Sequence, residues 1–92
     1  MSGVRDSKLN KGYKILEIDG NKTVCDANNL PIGNLSVSYI GAFLWNLLQN
    51  SEISKNDMLH SLLESFQIST VLALSEIDKF VRTMKDNGII EE

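Results

Sequence analysis

The chain has 92 residues with a net charge of −3, and 42% of them are hydrophobic, a composition that suits one soluble domain with a single modest core. The acidic balance argues against a sequence-independent grip on nucleic acid, which needs clustered lysine and arginine. The single cysteine excludes an internal disulfide and a multi-cysteine zinc site, and it suits a reducing cytosol.

The N-terminal segment shows no feature of a targeting sequence. Residues 1–12 are mostly polar, so we expect a flexible tail over 1–12 and one domain over residues 13–92. No charged region followed by an apolar run opens the chain, and no stretch reaches the about 20 apolar residues of a membrane span. These features predict a cytoplasmic protein without a membrane partner.

A β-hairpin is predicted at the start of the domain. Residues 13–18 mix apolar and polar side chains and include β-branched residues, which is typical of a short strand. Asp19-Gly20 follows, and this dipeptide is the strongest two-residue turn signal between strands. Residues 22–26 are therefore predicted to form the returning strand of the hairpin.

A third strand is predicted over residues 30–37, after a turn at 27–29 that is rich in asparagine. Pro31 starts this strand, and Gly33 is expected to introduce a bulge. Because short turns join the successive strands, we predict an antiparallel meander with the third predicted strand at one edge.

Residues 38–50 are predicted to form the central helix. Ser38 can cap its N-terminus, and most of the residues that follow are apolar. A helix that is apolar all round belongs inside a domain, where other elements cover it. We therefore expect Trp45 to fill the centre of the core.

Two amphipathic helices are predicted after the central helix. Ser54 caps a helix over residues 55–67, and Ser69 caps the last helix, over residues 70–87. Gly88 is expected to end the last helix as its C′ residue. The buried stripe of the last helix is predicted to contain Ala73, Ile77, Phe80, Val81 and Met84. The predicted class is α+β, a three-stranded antiparallel sheet followed by three helices.

No set of side chains in the sequence supports catalysis, a cofactor or a metal site. His60 is the only histidine and lies among apolar residues, whereas a general base needs a partner and a metal ion needs several ligands. Cys25 has no nearby histidine to make it a nucleophile, and no glycine-rich phosphate loop occurs. We therefore expect a protein that is not an enzyme.

No charged residue occurs from Ala27 through Ser51, a stretch that contains the third predicted strand and the central helix. Edge strands are normally protected by lysine, by proline or by a covering segment, and here only Pro31 gives such protection. The edge is therefore either covered within the fold or open to a peptide that adds as a further strand. The sequence leaves both alternatives open.

The central helix carries a recognisable sequence pattern, and apolar residues recur at characteristic positions in the two helices that follow it. The pattern is an apolar residue, a capping residue, two variable positions and then Gly-Ala-x-apolar-Trp-x-Leu-Leu, and it is carried by Val37, Ser38, Gly41, Ala42, Leu44, Trp45, Leu47 and Leu48. Over roughly residues 13–90 the chain resembles the PqqD family, also called the RiPP recognition element. Its members bind leader peptides of ribosomally made, post-translationally modified peptides.

The resemblance implies a winged-helix-like fold and a mode of binding. In the family, the leader peptide pairs with the third strand and lies in the groove between that strand and the third helix. Carried over to this chain, the implied peptide-binding residues are Ile32, Gly33, Asn34, Leu35, Ser36 and Val37 on the strand, and Val71, Leu74 and Asp78 on the third helix. Many relatives have charged or aromatic residues in this strand, whereas residues 30–37 of this chain have neither. This difference from the family bears on the identity of the bound peptide more than on the mode of binding.

The resemblance also implies a function, that of a non-catalytic adaptor with two partners. One partner is the leader of a precursor peptide, and the other is a modifying enzyme, such as a radical S-adenosylmethionine enzyme or another tailoring enzyme. Strand addition to the third strand is the implied mode of peptide binding.

Two other functions remain open at the level of sequence. A winged-helix DNA-binding module would need basic and amide residues on its third helix, but residues 54–92 hold four Lys/Arg against seven Asp/Glu. This balance disfavours phosphate contact, and we expect no nucleic-acid partner. A protein–protein interaction subunit that uses the same strand edge is not separated from the adaptor by the sequence.

Overall fold

The protein is α+β, with an antiparallel sheet followed by three helices, as predicted. The structure, a computed structural model, describes residues 7–91, apart from the side chain of Asn34. In chain order the elements are β1 (Lys8–Leu9), β2 (Lys14–Ile18), β3 (Asn21–Cys25), β4 (Pro31–Val37), α1 (Tyr39–Asn50), α2 (Lys55–Ser65), α3 (Thr70–Asp86) and β5 (Ile90–Glu91). Strands β2, β3 and β4 form one sheet in that order. The third predicted strand, β4, therefore lies at an edge of the sheet.

The hairpin of β2 and β3 turns through Asp19 and Gly20. Both residues have left-handed backbone, with φ of 52° and 81°, as the two central residues of a type I′ turn require. Ile18 pairs directly with Asn21. The turn therefore has the two residues that Asp-Gly predicted, and Asn21 begins β3.

Strand β4 contains the bulge expected at Gly33. Thr23 pairs with Ser36 and Cys25 pairs with Pro31, so the single residue Val24 lies opposite the four residues 32–35. Gly33 has φ of 55°, a left-handed conformation that glycine adopts without a steric penalty. The bulge leaves only the last part of β4, next to α1, in regular register with β3.

Residues 7–10 of the segment expected to be a tail are hydrogen-bonded to the domain. The amide of Ser7 donates to the carbonyl of Ile53 at 2.8 Å, and the amide of Asn10 donates to the carbonyl of Ile89 at 2.8 Å. Between them β1 pairs with β5 in a second, two-stranded antiparallel sheet. The paired part of the chain therefore begins before residue 13, while residues 1–6 of the expected tail lie outside the described residues.

Helix α1 lies at the centre of the core, as its apolar sequence predicted. The Oγ of Ser38 accepts a hydrogen bond from the amide of Gly41 at 3.2 Å, which caps the helix. Trp45 is 1% exposed and Leu44 is fully buried. The buried residues of the other elements that join α1 in the core are Val24, Met58, Leu62, Ala73, Ile77, Phe80, Val81, Met84, Ile89 and Ile90.

The predicted ends of α3 are confirmed. Ser69 Oγ accepts a hydrogen bond from the amide of Leu72 at 3.1 Å and caps the N-terminus. At the C-terminus Gly88 has φ of 73°, and the amide of Ile89 donates to the carbonyl of Met84 at 2.9 Å. This is the Schellman arrangement expected for a C′ glycine. None of the described helices is long and apolar enough to cross a membrane.

Trp45→Ala is expected to lower the free energy of unfolding by about 3–5 kcal/mol, a large share of the ~5–15 kcal/mol of a typical domain. The reason is that the buried indole is replaced by a cavity. Urea denaturation followed by circular dichroism measures the change. Trp45→Phe is the matched control and should lower the stability less, because phenylalanine keeps most of the buried volume. No hydrogen bond is lost in this variant, since Trp45 Nε1 has no partner among the described residues. A Trp45→Ala variant with the wild-type denaturation midpoint would contradict the core position of Trp45.

Candidate functional site

A groove of about 420 Å³ lies where the end of β4, the first turn of α1 and the C-terminal half of α3 meet. We call it the strand–helix groove. Its lining consists of Ser36, Val37, Ser38, Tyr39, Ile40 and Gly41 on one side and Glu76, Lys79, Phe80, Thr83 and Met84 of α3 on the other. The groove therefore runs along the edge strand of the sheet and one flank of the last helix.

Gly41 allows the walls of the groove to come together. A Cβ atom at this position would lie 3.0 Å from Val37 Cβ and 3.5 Å from Phe80 Cδ1. The first of these distances is shorter than ordinary van der Waals contact between carbon atoms. Because only Ser38 separates β4 from α1, the absent side chain lets the helix begin directly against both β4 and α3.

The floor of the groove is apolar. Phe80 and Met84 are 6% and 1% exposed, and the half-buried Val37 and Ile40 pack against the same core. Because Phe80 and Met84 are already buried, the apolar surface that a ligand can still remove from water belongs mainly to Val37 and Ile40, and covering it is favourable. The floor therefore suits an apolar side chain of a ligand.

The rim of the groove is polar and carries charges of both signs. Glu76 is half-buried and Lys79 is exposed, and neither forms an ion pair with another residue of the described chain. At the opposite wall the exposed ring of Tyr39 lies under the ammonium group of Lys22, with Nζ 5.0 Å from the ring centroid. This is within the range of a cation–π contact.

The main chain of β4 adds hydrogen-bonding groups to the groove. Among the described residues β4 pairs only with β3, and its regular pairs there are Lys22 with Val37 and Thr23 with Ser36. In an antiparallel ladder, successive residues direct their N–H and C=O groups alternately to the two sides. Of Ser36 and Val37, one therefore bonds to β3 and the other offers its main-chain groups to the open edge.

The structure places the predicted strand residues along this edge. Ser36 and Val37 line the groove. Ile32 and Leu35 are half-buried and pack against the core, and Gly33 is exposed in the bulge. Asn34 belongs to β4 by its main chain, and its side chain lies outside the described part of the structure.

The predicted residues of the last helix do not line the groove. Val71 and Leu74 are 79% and 49% exposed, and Asp78 forms an ion pair with Arg82. At 100° per residue these positions lie on the flank of the buried stripe opposite to Glu76 and Thr83. The stripe alone could not indicate which flank faces β4, because both flanks contain polar residues.

The sequence reasoning therefore missed the residues that α3 contributes to the groove. A pattern that could have indicated them is the spacing of Glu76, Lys79 and Thr83, which recur at i, i+3 and i+7 on one flank of the helix. The other missed residues were expected only as helix-start or core positions, and they are Ser38, Tyr39, Ile40, Gly41, Phe80 and Met84.

A second groove of about 390 Å³ lies between the β2–β3 hairpin and α1. Its lining mixes Lys14, Glu17 and Lys22 with side chains of α1, and no residue of β4 contributes. Within the described residues no group of three or more His, Cys, Asp and Glu side chains could hold a metal ion. The strand–helix groove is therefore the place where main-chain groups, an apolar floor and unpaired charges occur together.

The fold and the groove define a class of small α+β domain with an open strand edge beside a helix. A family model described as "Coenzyme PQQ synthesis protein D (PqqD)" matches residues 16–90. The chain belongs to the PqqD family, as the pattern around Trp45 indicated. A comparison with curated proteins found no match.

A solved structure has the same fold. It is described as "TbiB1 in Complex with the TbiA(beta) Leader Peptide", and it superposes with a TM-score of 0.68. The alignment covers 91% of this chain and 94% of that chain at 12% sequence identity. At this identity the likeness establishes the shared fold, while the bound leader peptide belongs to the complex of that protein.

Gly41→Val is expected to destabilise the protein by about 1–3 kcal/mol, the usual cost of overpacking a well-packed site. Valine has a higher intrinsic helix propensity than glycine, so a loss of stability would come from the contacts with Val37 and Phe80. Thermal melting measures the change. Ala42→Val is the control one residue further along the same helix, at a half-buried position. Equal melting temperatures for Gly41→Val and the wild type would show that the walls of the groove are not closely packed here.

Proposed function

We propose that the chain is a non-catalytic adaptor that binds the leader segment of a ribosomally made precursor peptide and presents it to a modifying enzyme. The observation that carries the proposal is the open edge of β4, which runs beside the strand–helix groove. Membership of the PqqD family supports it. The shared fold with a leader-peptide complex adds support.

The leader adds to the sheet as a further strand alongside β4. Its main chain pairs with the outward-facing N–H and C=O groups of the segment Ile32 to Val37, which gives affinity without requiring a particular sequence. Side chains alternate between the two faces of a strand. Every second side chain of the leader therefore points towards the strand–helix groove and provides specificity.

On the helix side, the proposed contacts differ from those that the sequence suggested. Glu76, Lys79 and Thr83 form the rim, and Phe80 and Met84 form the floor. Val71, Leu74 and Asp78 lie on the other flank, so we propose no leader contact for them.

The proposed adaptor supplies binding and leaves the chemistry to its partner. A radical S-adenosylmethionine enzyme or another tailoring enzyme modifies the core segment of the precursor, while the leader remains on β4. The proposed cellular location of the adaptor is the cytoplasm, where precursor peptides are synthesised and modified. Holding the leader on a separate domain raises the local concentration of the precursor at the enzyme.

The other two functions have less support. Phosphate contact through α3 is disfavoured because Asp78 and Asp86 are interleaved with Lys79, Arg82 and Lys85. An interaction subunit that uses the β4 edge differs from the adaptor only in its ligand. A binding experiment with a leader peptide separates the two.

The test of the proposal is calorimetric titration of the protein with a synthetic leader, taken from a short precursor gene adjacent to the gene for this chain. We expect a Kd near the micromolar range, which corresponds to about −8 kcal/mol. If none of the leaders from adjacent precursor genes binds, the adaptor function is contradicted and the interaction subunit is favoured.

Proline substitutions in β4 test strand addition. Proline removes one N–H group and fixes φ near −65°. We expect one of Ser36→Pro and Val37→Pro to lower the melting temperature, because it breaks a bond to β3. The other should mainly weaken leader binding, because it removes a bond of about 0.5–1.5 kcal/mol to the added strand and obstructs that strand.

Two further variants control for effects of proline and of side-chain loss. Ala27→Pro changes an exposed position in the turn closed by the bond from the amide of Asn29 to the carbonyl of Asp26, where proline is favoured. Val37→Ala reports the loss of the valine side chain alone. If both β4 proline variants bind the leader like Ala27→Pro does, the peptide does not use this edge.

A further inference from the structure

The carboxylate of Glu76 is an unusual feature of the strand–helix groove. Glu76 is half-buried beside the apolar floor formed by Phe80 and Met84. It forms no ion pair and no side-chain hydrogen bond within the described part of the chain. Of the nearby cations, Arg82 pairs with Asp78 and Lys22 stacks on Tyr39, while Lys79 lies exposed on the rim of the same groove. The groove therefore contains a carboxylate without an ion-pair partner among the described residues.

A peptide that fills the groove removes water from this carboxylate. Taking an ionised carboxylate out of water without a partner is costly, and the cost is recovered only when an opposite charge with good hydrogen-bond geometry replaces the water. Lys79 has a smaller effect on which ligand is bound, because filling the groove does not desolvate its ammonium group. It is exposed, and its flexible four-carbon stem allows the ammonium group to remain in water when the groove is filled.

Resting on the proposed function, we propose that Glu76 determines which leader is bound, because the leader places a lysine or arginine against its carboxylate. The basic residue lies next to an apolar residue of the leader that covers the floor of the groove. Arginine is favoured over lysine, because its guanidinium can pair with both carboxylate oxygens at once. A leader that carries an acidic residue at this position is rejected by like-charge repulsion.

The experiment is a selection from a random-peptide display library on the 92-residue chain, with no assumption about the natural precursor. The same library is selected on the wild type, on Glu76→Gln and on Glu76→Lys. Glu64→Gln and Glu64→Lys are matched controls, because they make the same charge changes at an exposed position of α2 that does not line the groove. Thermal melting of each variant verifies that it is folded.

The expected result is enrichment of arginine or lysine at one fixed position of the peptides selected by the wild type and by the Glu64 variants. Glu76→Lys should enrich aspartate or glutamate there instead. A peptide selected on the wild type should bind Glu76→Gln about 10- to 100-fold more weakly, the range for loss of a hydrogen bond to a charged group. Replacing its basic residue by methionine should abolish the difference between the wild type and Glu76→Gln.

Two other results would overturn the inference, and they differ in what else they contradict. Peptides that bind along β4 without a basic preference, or with equal affinity for the wild type and Glu76→Gln, would refute the role of Glu76 and leave the adaptor function standing. If the wild type selects no peptide at all, the proposed function fails together with the inference.

Discussion

The structure depends on the burial of α1, a helix with apolar side chains on nearly every side. Leu44, Trp45 and Leu48 are between 0% and 4% exposed, and each fully buried large apolar side chain contributes roughly 1.5–3 kcal/mol. No single neighbour can cover such a helix. It contacts β4, α2, α3 and also the N-terminal strand β1. Residues 7–10 therefore complete the enclosure of the central helix, and they are held there by main-chain bonds to Ile53 and Ile89.

The same constraint produces the candidate site. Because α1 must pack against both the sheet and α3, the chain turns from β4 into α1 through Ser38 alone, and Gly41 lets Val37 and Phe80 approach closely. The edge of β4 and one flank of α3 are thereby brought side by side. Among the described residues no further strand pairs with the outer edge of β4, and the strand–helix groove remains between this edge and α3. A peptide that adds to β4 would bury apolar floor and satisfy open main-chain groups in one step, which joins the packing of the core to the proposed function.

Features that depend on residues close together in the sequence could be predicted from it. Features that depend on contacts between residues far apart in the sequence could not. Asp19-Gly20 has one favoured turn geometry, Ser38 and Ser69 cap the helices that follow them, and Gly33 and Gly88 occupy left-handed positions. The pairing of Leu9 with Ile90 joins opposite ends of the chain through strands of two residues, which carry no pattern of their own. The flank of α3 that faces β4 is set by how the helix docks on α1. The buried stripe is compatible with either flank, so the helical pattern alone does not separate Val71, Leu74 and Asp78 from the groove-lining Glu76, Lys79 and Thr83.

The central claim, that a peptide adds as a strand to β4, is tested most directly by amide hydrogen exchange measured by NMR with and without a bound peptide. The three-stranded sheet provides an internal control, because β2 forms its other edge. The account predicts slower exchange at alternate amides in the last part of β4, around Ser36 and Val37, and unchanged exchange at the outer amides of β2. Slower exchange along β2, or none along β4 when the protein is saturated with peptide, would contradict it.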